Sequence, residues 1–248
     1  MNPSPSAVSS SAALAALRRI KQAALVWQLS PQARRVLADG LTYLSVHKLY
    51  AIERAVRRAD RMGVPGDFVE CGVALGGSAI VLSPLLSPQR RFRGYDVFEM
   101  IPPPGPNDEH DAHARYEVIK SGTSPGIRGQ PYYGYMANLR DVVVENFKRH
   151  HLVVDGERIC LQRGLFADTL HFTPDTRIAL AHIDCDWYEP VRLCLERIHP
   201  QLAVDGCMIL DDYNNYEGCR KATDEFLRGK ADLVLVASKP NALIRRVH

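Results

Sequence analysis

The chain has 248 residues, of which 46% are hydrophobic and 24% charged, and its formal net charge at pH 7 is +3. This length is enough for one α/β domain with a sizeable core, and the composition is typical of a globular protein. The small net charge, with basic residues scattered along the chain, gives no indication of nucleic-acid binding. Since no apolar run reaches the ~20 residues that span a bilayer, we expect no stable membrane insertion.

The six cysteines indicate a reduced environment. None belongs to a CxxC pair, and most lie in apolar runs, where free cysteine behaves as a small hydrophobic residue. The even number is compatible with disulfides, but the chain is not a short secreted domain. The first ten residues are rich in Ser and Pro and lack the charged start of a secretory signal. We therefore expect a cytoplasmic protein.

The N-terminal quarter is predicted to be helical. Residues 1–10 are expected to form a disordered tail, and the apolar spacing predicts helices over 11–29 and 46–62. Basic residues interrupt the apolar face of the first helix, which favours packing on the domain or on a second subunit over a membrane surface. Gly63 and the pair Pro65-Gly66 end the second helix. We predict a helical cap over 11–63 and a main domain over 64–248.

From residue 67 the pattern is that of a doubly wound α/β fold. Strands are predicted over 67–71 and 92–96, separated by a glycine-rich turn and an apolar helix. The proline-rich segment 99–135 is predicted to be a long lid loop, because long loops in compact domains are usually lids or disordered. The remaining elements are a helix over 138–150 and strands near residues 158–162, 178–184, 206–211, 233–237 and 242–247.

Two of these apolar strands end in pairs of aspartates, Asp184 with Asp186 and Asp211 with Asp212. The carboxyl ends of neighbouring parallel strands meet at one edge of the sheet, where such folds bind ligands. Four carboxylates there repel one another unless a cation or a proton compensates them. A hard divalent metal ion bound through oxygen is the simplest solution. The two pairs therefore indicate an enzyme with a metal site.

Other roles are open for these residues and their neighbours. Asp186 and Asp212 each precede a predicted helix and are suited to cap it. His182, inside an apolar strand, is either a hydrogen-bonded core residue or a ligand, and we favour the core. Cys185 is a poor nucleophile, because two flanking carboxylates raise the pKa of its thiol. In the lid, His110 and His113, with Asp108 and Asp111, have spacings compatible with a transition metal, but we favour solvated lid residues in contact with substrate. For Tyr132, Tyr133 and Tyr135, sugar recognition and lid packing remain alternatives.

The glycine-rich turn carries a second signal. Gly72, Gly76 and Gly77 do not match the order GxGxxG of dinucleotide-binding folds, which argues against a nicotinamide-dependent oxidoreductase. With Glu70 before the turn and Asp96 at the end of the next strand, the pattern suits a nucleoside without a pyrophosphate, held through its ribose hydroxyls. Tight packing between strand and helix is the alternative reason for the glycines.

Several segments, in this order, resemble the macrocin-type O-methyltransferases. They are Gly66–Val73, Gly76–Ser78, Tyr95–Glu99, Gly164–Leu170, Asp184–Tyr188 and Asp211–Tyr213. The resemblance runs from about residue 66 to 226. It implies a Rossmann-like class I methyltransferase fold, a mostly parallel seven-stranded sheet with helices on both faces and an N-terminal helical extension. It also implies an S-adenosylmethionine-dependent, magnesium-requiring enzyme that methylates a hydroxyl of a sugar or glycosylated small molecule, and an association into homo-oligomers.

The resemblance further implies roles for single residues. Asp184, Asp211 and Asp212 are expected to bind the metal ion, and Asp186, on the same side of the extended segment as Asp184, is our prediction for the general base. This chain has Ala74-Leu75 where the family commonly has Trp-Arg. The residues expected at the cofactor are Glu70, Gly72, Gly76, Ser78, Asp96, Phe98, Gly164, Asp168 and Asp184.

A nicotinamide-dependent oxidoreductase and a catalytically inactive methyltransferase fold, kept as a binding subunit, are the competing predictions. The intact acid set argues against the inactive subunit, because a scaffold has no use for four mutually repelling carboxylates. The identity of the acceptor cannot be predicted from these residues.

Overall fold

The computed structural model describes residues 22–248. Residues 22–28 are helical, so this part of the predicted helix 11–29 is present, whereas the rest of it and the predicted tail 1–10 lie outside the described residues. Helices α1 (Pro31–Asp39) and α2 (Val46–Arg61) follow. Each begins after a serine, Ser30 or Ser45, whose hydroxyl accepts a hydrogen bond from a backbone N–H in the first turn. Such N-caps fix where the helices start.

The main body is a seven-stranded sheet in the order β3-β2-β1-β4-β5-β7-β6. All neighbouring strands pair in parallel except β7, which runs antiparallel to β5 and β6. This confirms the predicted mostly parallel sheet. The strands are β1 (Asp67–Cys71), β2 (Phe92–Asp96), β3 (Ile159–Arg163), β4 (Ile178–Ile183), β5 (Leu202–Leu210), β6 (Leu233–Ala237) and β7 (Ala242–Arg246).

Alternate residues of the buried strands face two separate cores. Phe68 and Leu180 pack in one core with α1, α2 and the helices α3 (Gly77–Leu82) and α5 (Leu139–Arg149). Val69 and Ala181 pack in the other with α7 (Tyr188–Ile198) and α8 (Glu217–Leu227). Helices therefore cover both faces of the sheet. The N-terminal helices α1 and α2 contribute directly to the first core.

The prediction of a lid without secondary structure is wrong in part. Residues His110–Lys120 form an α-helix, α4. Only Ala112 and Ile119 of this helix are buried. A helix with so few buried residues needs no apolar periodicity in its sequence, and for this reason the helix was not predicted. A short helix, α6 (Phe166–Thr169), follows β3. Among residues 22–248, no helix is both long and apolar enough to cross a bilayer.

Candidate active site

The site lies where β1, β2, β4 and β5 end. Gly72, directly after β1, has a φ of 93°, and a Cβ at this position would overlap the carbonyl oxygen of Asp184. Only glycine permits both this conformation and this approach. Gly76, with a φ of 86°, precedes the first residue of α3. The glycine-rich turn therefore brings the end of β1 against the end of β4.

Asp96, the last residue of β2, holds this turn in place. Its Oδ2 accepts hydrogen bonds from the backbone N–H groups of Val73 (2.7 Å) and Ala74 (3.0 Å), and its Oδ1 accepts one from Phe98 (2.7 Å). Burial raises the pKa of Asp96, and these three donors oppose the rise. The carboxylate thus organises the backbone of the turn and also lines both cavities described next.

A mostly apolar cavity of about 320 Å³ lies on one side of this turn. Its walls come from the start of the lid, the segment after β3 and the start of α7. Pockets with apolar walls and a few polar groups are typical of small-molecule sites. The apolar side chains include Ile101, Pro102, Leu165, Phe166, Trp187 and Leu193.

A second cavity, of about 230 Å³, contains the two aspartate pairs. Aromatic and basic side chains line it as well, and they come from four separate parts of the chain. The two cavities share Gly72, Asp96, Tyr133, Asp184 and Asp186, so a ligand in one lies beside a ligand in the other. The aromatic and basic residues of this second cavity are Tyr43, Lys48, Arg115, Tyr132, Tyr133 and Tyr216.

Three of the four aspartates form a compact group. One oxygen from each of Asp184, Asp186 and Asp212 lies within 4.8 Å of the others. Burial, and next the neighbouring carboxylates, raise the pKa values of Asp184 and Asp186, and the pKa of Asp212 is also raised. The buried Oδ2 of Asp212 has no hydrogen-bond partner within the described chain. An oxygen-only donor set with an unpartnered buried oxygen fits a divalent cation such as Mg²⁺.

Asp211 is arranged differently. Its Oδ2 lies 2.6 Å from the ammonium of Lys48 in α2, and its Oδ1 lies 3.8 Å from Nε2 of His182. Burial alone would raise the pKa of Asp211, but His182 and Lys48 lower it below its usual value. The predicted metal ligands Asp184, Asp211 and Asp212 all line the second cavity, but Asp211 is paired with Lys48 and lies outside the compact group of oxygens.

His182 joins Asp211 to Glu70. Nδ1 of His182 lies 2.8 Å from Oε1 of Glu70, and both side chains are fully buried. Burial lowers the pKa of His182, but the neighbouring carboxylates of Asp211 and Glu70 outweigh it and raise the pKa to about 9. His182 is thus a hydrogen-bonded core residue, as favoured from the sequence. The predicted contact of Glu70 with a cofactor stays a prediction.

Neither capping alternative describes the structure. Helix α7 begins after Trp187, and the backbone N–H of Tyr188 donates to Asp108 (2.7 Å), not to Asp186. The backbone N–H of Glu217, at the start of α8, donates to Asp111 (2.9 Å). Both acceptors come from the lid. The carboxylates of Asp186 and Asp212 are therefore not used as caps and remain in the cavity.

The other predicted residues lie around this centre. Ser78 and Phe98 are buried, Gly164 donates its N–H to the carbonyl of Asp96 (3.0 Å), and Asp168 is exposed in α6. None of these four lines either cavity, and their cofactor contacts stay predictions.

The structure also shows the surroundings of His110, His113 and Cys185, which were considered for roles in catalysis or substrate contact. His110 and His113 are exposed, and burial raises the pKa of the Cys185 thiol, which agrees with its rejection as a nucleophile. Lys48 and Arg115, which line the second cavity, were not predicted as site residues, because neither belongs to a recognisable sequence motif.

The sequence profile of the macrocin O-methyltransferases matches residues 28–233. The chain belongs to the macrocin O-methyltransferase family. It is therefore an O-methyltransferase, and neither the oxidoreductase nor the inactive binding subunit is supported.

A curated relative from Streptomyces olivaceus, named 8-demethyl-8-(2,3-dimethoxy-alpha-L-rhamnosyl)-tetracenomycin-C 4'-O-methyltransferase, is 33% identical over 193 residues, which cover 76% of this chain and 68% of the relative. The demethyldecarbamoylnovobiocin O-methyltransferase of Streptomyces niveus is 29% identical over 200 residues, covering 79% and 71%.

Solved structures agree on the fold. The O-methyltransferase NovP superposes with a TM-score of 0.68 at 24% identity, covering 84% of this chain and 82% of its own. The calicheamicin methyltransferase CalS11 superposes with a TM-score of 0.55 at 21% identity, covering 99% and 94%. The Rossmann-like class I methyltransferase fold of this family member is thereby confirmed.

Proposed function

We propose that this family member transfers a methyl group from S-adenosylmethionine to a hydroxyl of a sugar or glycosylated small molecule, with a divalent cation at the aspartates. The observation that carries the proposal is the pair of adjoining cavities with Asp184 and Asp186 in their common wall. The relative from Streptomyces olivaceus, whose name includes a rhamnosyl group, supports the acceptor class. Tyrosine faces in the second cavity suit sugar rings.

The apolar cavity is the proposed cofactor site. Apolar side chains such as Phe166 and Leu193 provide surfaces for an adenine ring, and Asp96 lies at its boundary with the acid cluster. The acceptor occupies the second cavity, so that its hydroxyl lies beside Asp186. Holding donor and acceptor next to each other in a fixed geometry supplies much of the rate enhancement of such a transfer.

Asp186 is the proposed general base. Its carboxylate lies in the common wall of the two cavities, beside Asp184 and Asp212, which are the proposed cation ligands together with Asp211. A divalent cation bound there lowers the pKa of a nearby hydroxyl and fixes its position. In the transfer the acceptor oxygen bonds to the methyl carbon, the carbon–sulfur bond breaks, and the hydroxyl proton goes to Asp186.

The test is a screen of α-L-rhamnosides and other glycosides with the full chain, S-adenosylmethionine and MgCl2, followed by mass spectrometry. We expect a mass gain of one methyl group that disappears with EDTA and returns with added Mg²⁺. The variant Asp186→Asn should lose about 10²–10⁴-fold in rate. The exposed Asp175 provides the control variant Asp175→Asn. Methylation that resists EDTA would refute the cation, and full activity of Asp186→Asn would refute the base.

A further inference from the structure

The Lys48–Asp211 ion pair sits inside the acid cluster rather than on the surface. Nζ of Lys48 lies 2.6 Å from Oδ2 of Asp211 and 3.0 Å from the carbonyl oxygen of the same residue. The exposed fractions of the two side chains are 12% and 5%. Surface ion pairs contribute little because water screens them, but a pair this well buried is strongly held once formed.

The helix that carries Lys48 is held in place by the hydrophobic core. It belongs to α2, and the nearby residues Leu49 and Ile52 of this helix are fully buried in the first core. Its ammonium therefore reaches the acid cluster from a rigid helix. The contact joins the N-terminal helices to the end of β5, 163 residues further along the chain.

Within the described chain, none of the other three aspartates forms an ion pair, although Oδ1 of Asp212 accepts a hydrogen bond from the side-chain amide of Asn215 (3.1 Å). The oxygens of Asp184, Asp186 and Asp212 that approach within 4.8 Å of one another form a group to which Asp211 does not belong. One Asp211 oxygen is taken by Lys48, and the other, Oδ1, is buried without a hydrogen-bond partner among the described residues. A cation entering the cluster meets the carboxyl groups of Asp184, Asp186 and Asp212, none of which is paired with a cationic side chain of the described chain, and a fourth, Asp211, that already is.

We propose that Lys48 withholds Asp211 from a divalent cation, so that Asp211 becomes a ligand only when its ion pair with Lys48 opens. An ammonium and a divalent cation repel each other and compete for the same carboxylate. This inference rests on the cation site of the proposed function and adds a competitor built into the protein. Once displaced, the Lys48 ammonium becomes a hydrogen-bond donor for acceptor oxygens in the same cavity.

The test is calorimetric titration of the full-length, metal-free protein with Mn²⁺, which takes oxygen ligands as Mg²⁺ does. We expect Lys48→Met to bind Mn²⁺ at least ~10-fold more tightly than the wild type. Lys48→Arg, which keeps the charge, should bind no more tightly than the wild type. Lys221, whose ammonium lies over the ring of Tyr188 at 5.4 Å and not in the cavity, provides the control Lys221→Met.

A double-mutant cycle separates competition for Asp211 from simple charge repulsion. If Lys48 acts by holding Asp211, its removal should improve Mn²⁺ binding by less than ~3-fold in the Asp211→Asn background. An equal gain in both backgrounds, or no gain in Lys48→Met, overturns the inference. Circular dichroism checks that each variant folds, and Lys48→Gln replaces Lys48→Met if the latter does not.

The outcomes also separate this inference from the proposed function. Wild-type binding without a gain in Lys48→Met refutes only the role of Lys48. Binding by Lys48→Met but not by the wild type supports the role of Lys48 and refutes cation use by the native enzyme. Binding by neither protein refutes both.

Discussion

The carboxylate of Asp108 accepts a hydrogen bond of 2.7 Å from the backbone N–H of Tyr188, the first residue of α7. Its other oxygen accepts one from the backbone N–H of Gly105 (2.9 Å), and the side chain is buried. Asp111 bonds in the same way to the start of α8. Two lid carboxylates thus cap the two helices that follow the aspartate pairs, which attaches the lid directly to the active-site edge.

Removal of the Asp108 cap should destabilise the protein. We expect Asp108→Ala to lower the free energy of unfolding by about 1–2 kcal/mol, because the first turn of α7 is left with an unsatisfied N–H in a buried position. Urea unfolding measures the change. Asp175→Ala, at an exposed position, should stay within about 0.5 kcal/mol of the wild type. Equal stability of both variants would show that the lid contact does not stabilise α7.

Gly72 is the least replaceable glycine of the turn. In Gly72→Ala the new Cβ would overlap the carbonyl oxygen of Asp184, and the φ of 93° disfavours any side chain. We expect a loss of more than about 3 kcal/mol in unfolding free energy, or failure to fold. Gly122→Ala is the matched control, because Gly122 has a φ of 78° but no atom within 4 Å of a Cβ. Its cost should be about 1–2 kcal/mol, and similar losses in both would mean that the close approach to Asp184 is unimportant.

Arg115 is expected to contact the acceptor. It lines the second cavity from α4, its guanidinium lies 5.6 Å from the ring centre of Tyr132, and no hydrogen bond engages it within the described chain. Arg115→Met should raise the KM for the methylated glycoside by about 10-fold or more and leave the KM for S-adenosylmethionine unchanged. Steady-state kinetics measure both constants. The exposed Lys120 on the same helix gives the control Lys120→Met. Parallel changes in both KM values would contradict a role confined to the acceptor.

Asp155 should make stability depend on pH in the acid range. Hydrogen bonds from the backbone N–H groups of Ile159, Glu157 and Arg158 lower its pKa. Because the pKa is lower in the folded state, the stabilisation is present above the unfolded value of about 3.9 and is lost as the pH falls through the folded value. Asp155→Asn should therefore lower Tm at pH 7, and the difference should shrink below about pH 4. Thermal unfolding at several pH values tests this, and a difference that does not vary with pH would contradict it.

Much of the fold was predictable because its signals are local. Strands β1, β2 and β6 occupy the predicted residues, since each is a short segment with apolar residues bounded by turn residues. The two aspartate pairs do meet at one sheet edge, because parallel strands place their carboxyl ends together. Helix α4 was missed, since it buries only Ala112 and Ile119 and therefore lacks a continuous apolar face.

The connections within the site were less predictable. Lys48 reaches Asp211 from 163 residues away, and Asp108 caps a helix that starts 80 residues later. Nothing near either residue in the sequence marks its partner, since such contacts depend on how the helices are arranged on the sheet. For the same reason the use of the Asp96 carboxylate by backbone donors could not be inferred from its place at the end of β2.

Gly77 limits how this enzyme can be altered by recombination with its relatives. A Cβ at Gly77, in the first turn of α3, would overlap the carbonyl oxygen of Leu41, and the same stretch of chain places Tyr43 and Lys48 in the second cavity. Exchange of this N-terminal stretch between relatives is an obvious way to change the acceptor. A chimera with a junction between the N-terminal helices and β1 keeps its packing only if the donor backbone approaches residue 77 equally closely. Junctions after α3 transfer both sides of this contact together.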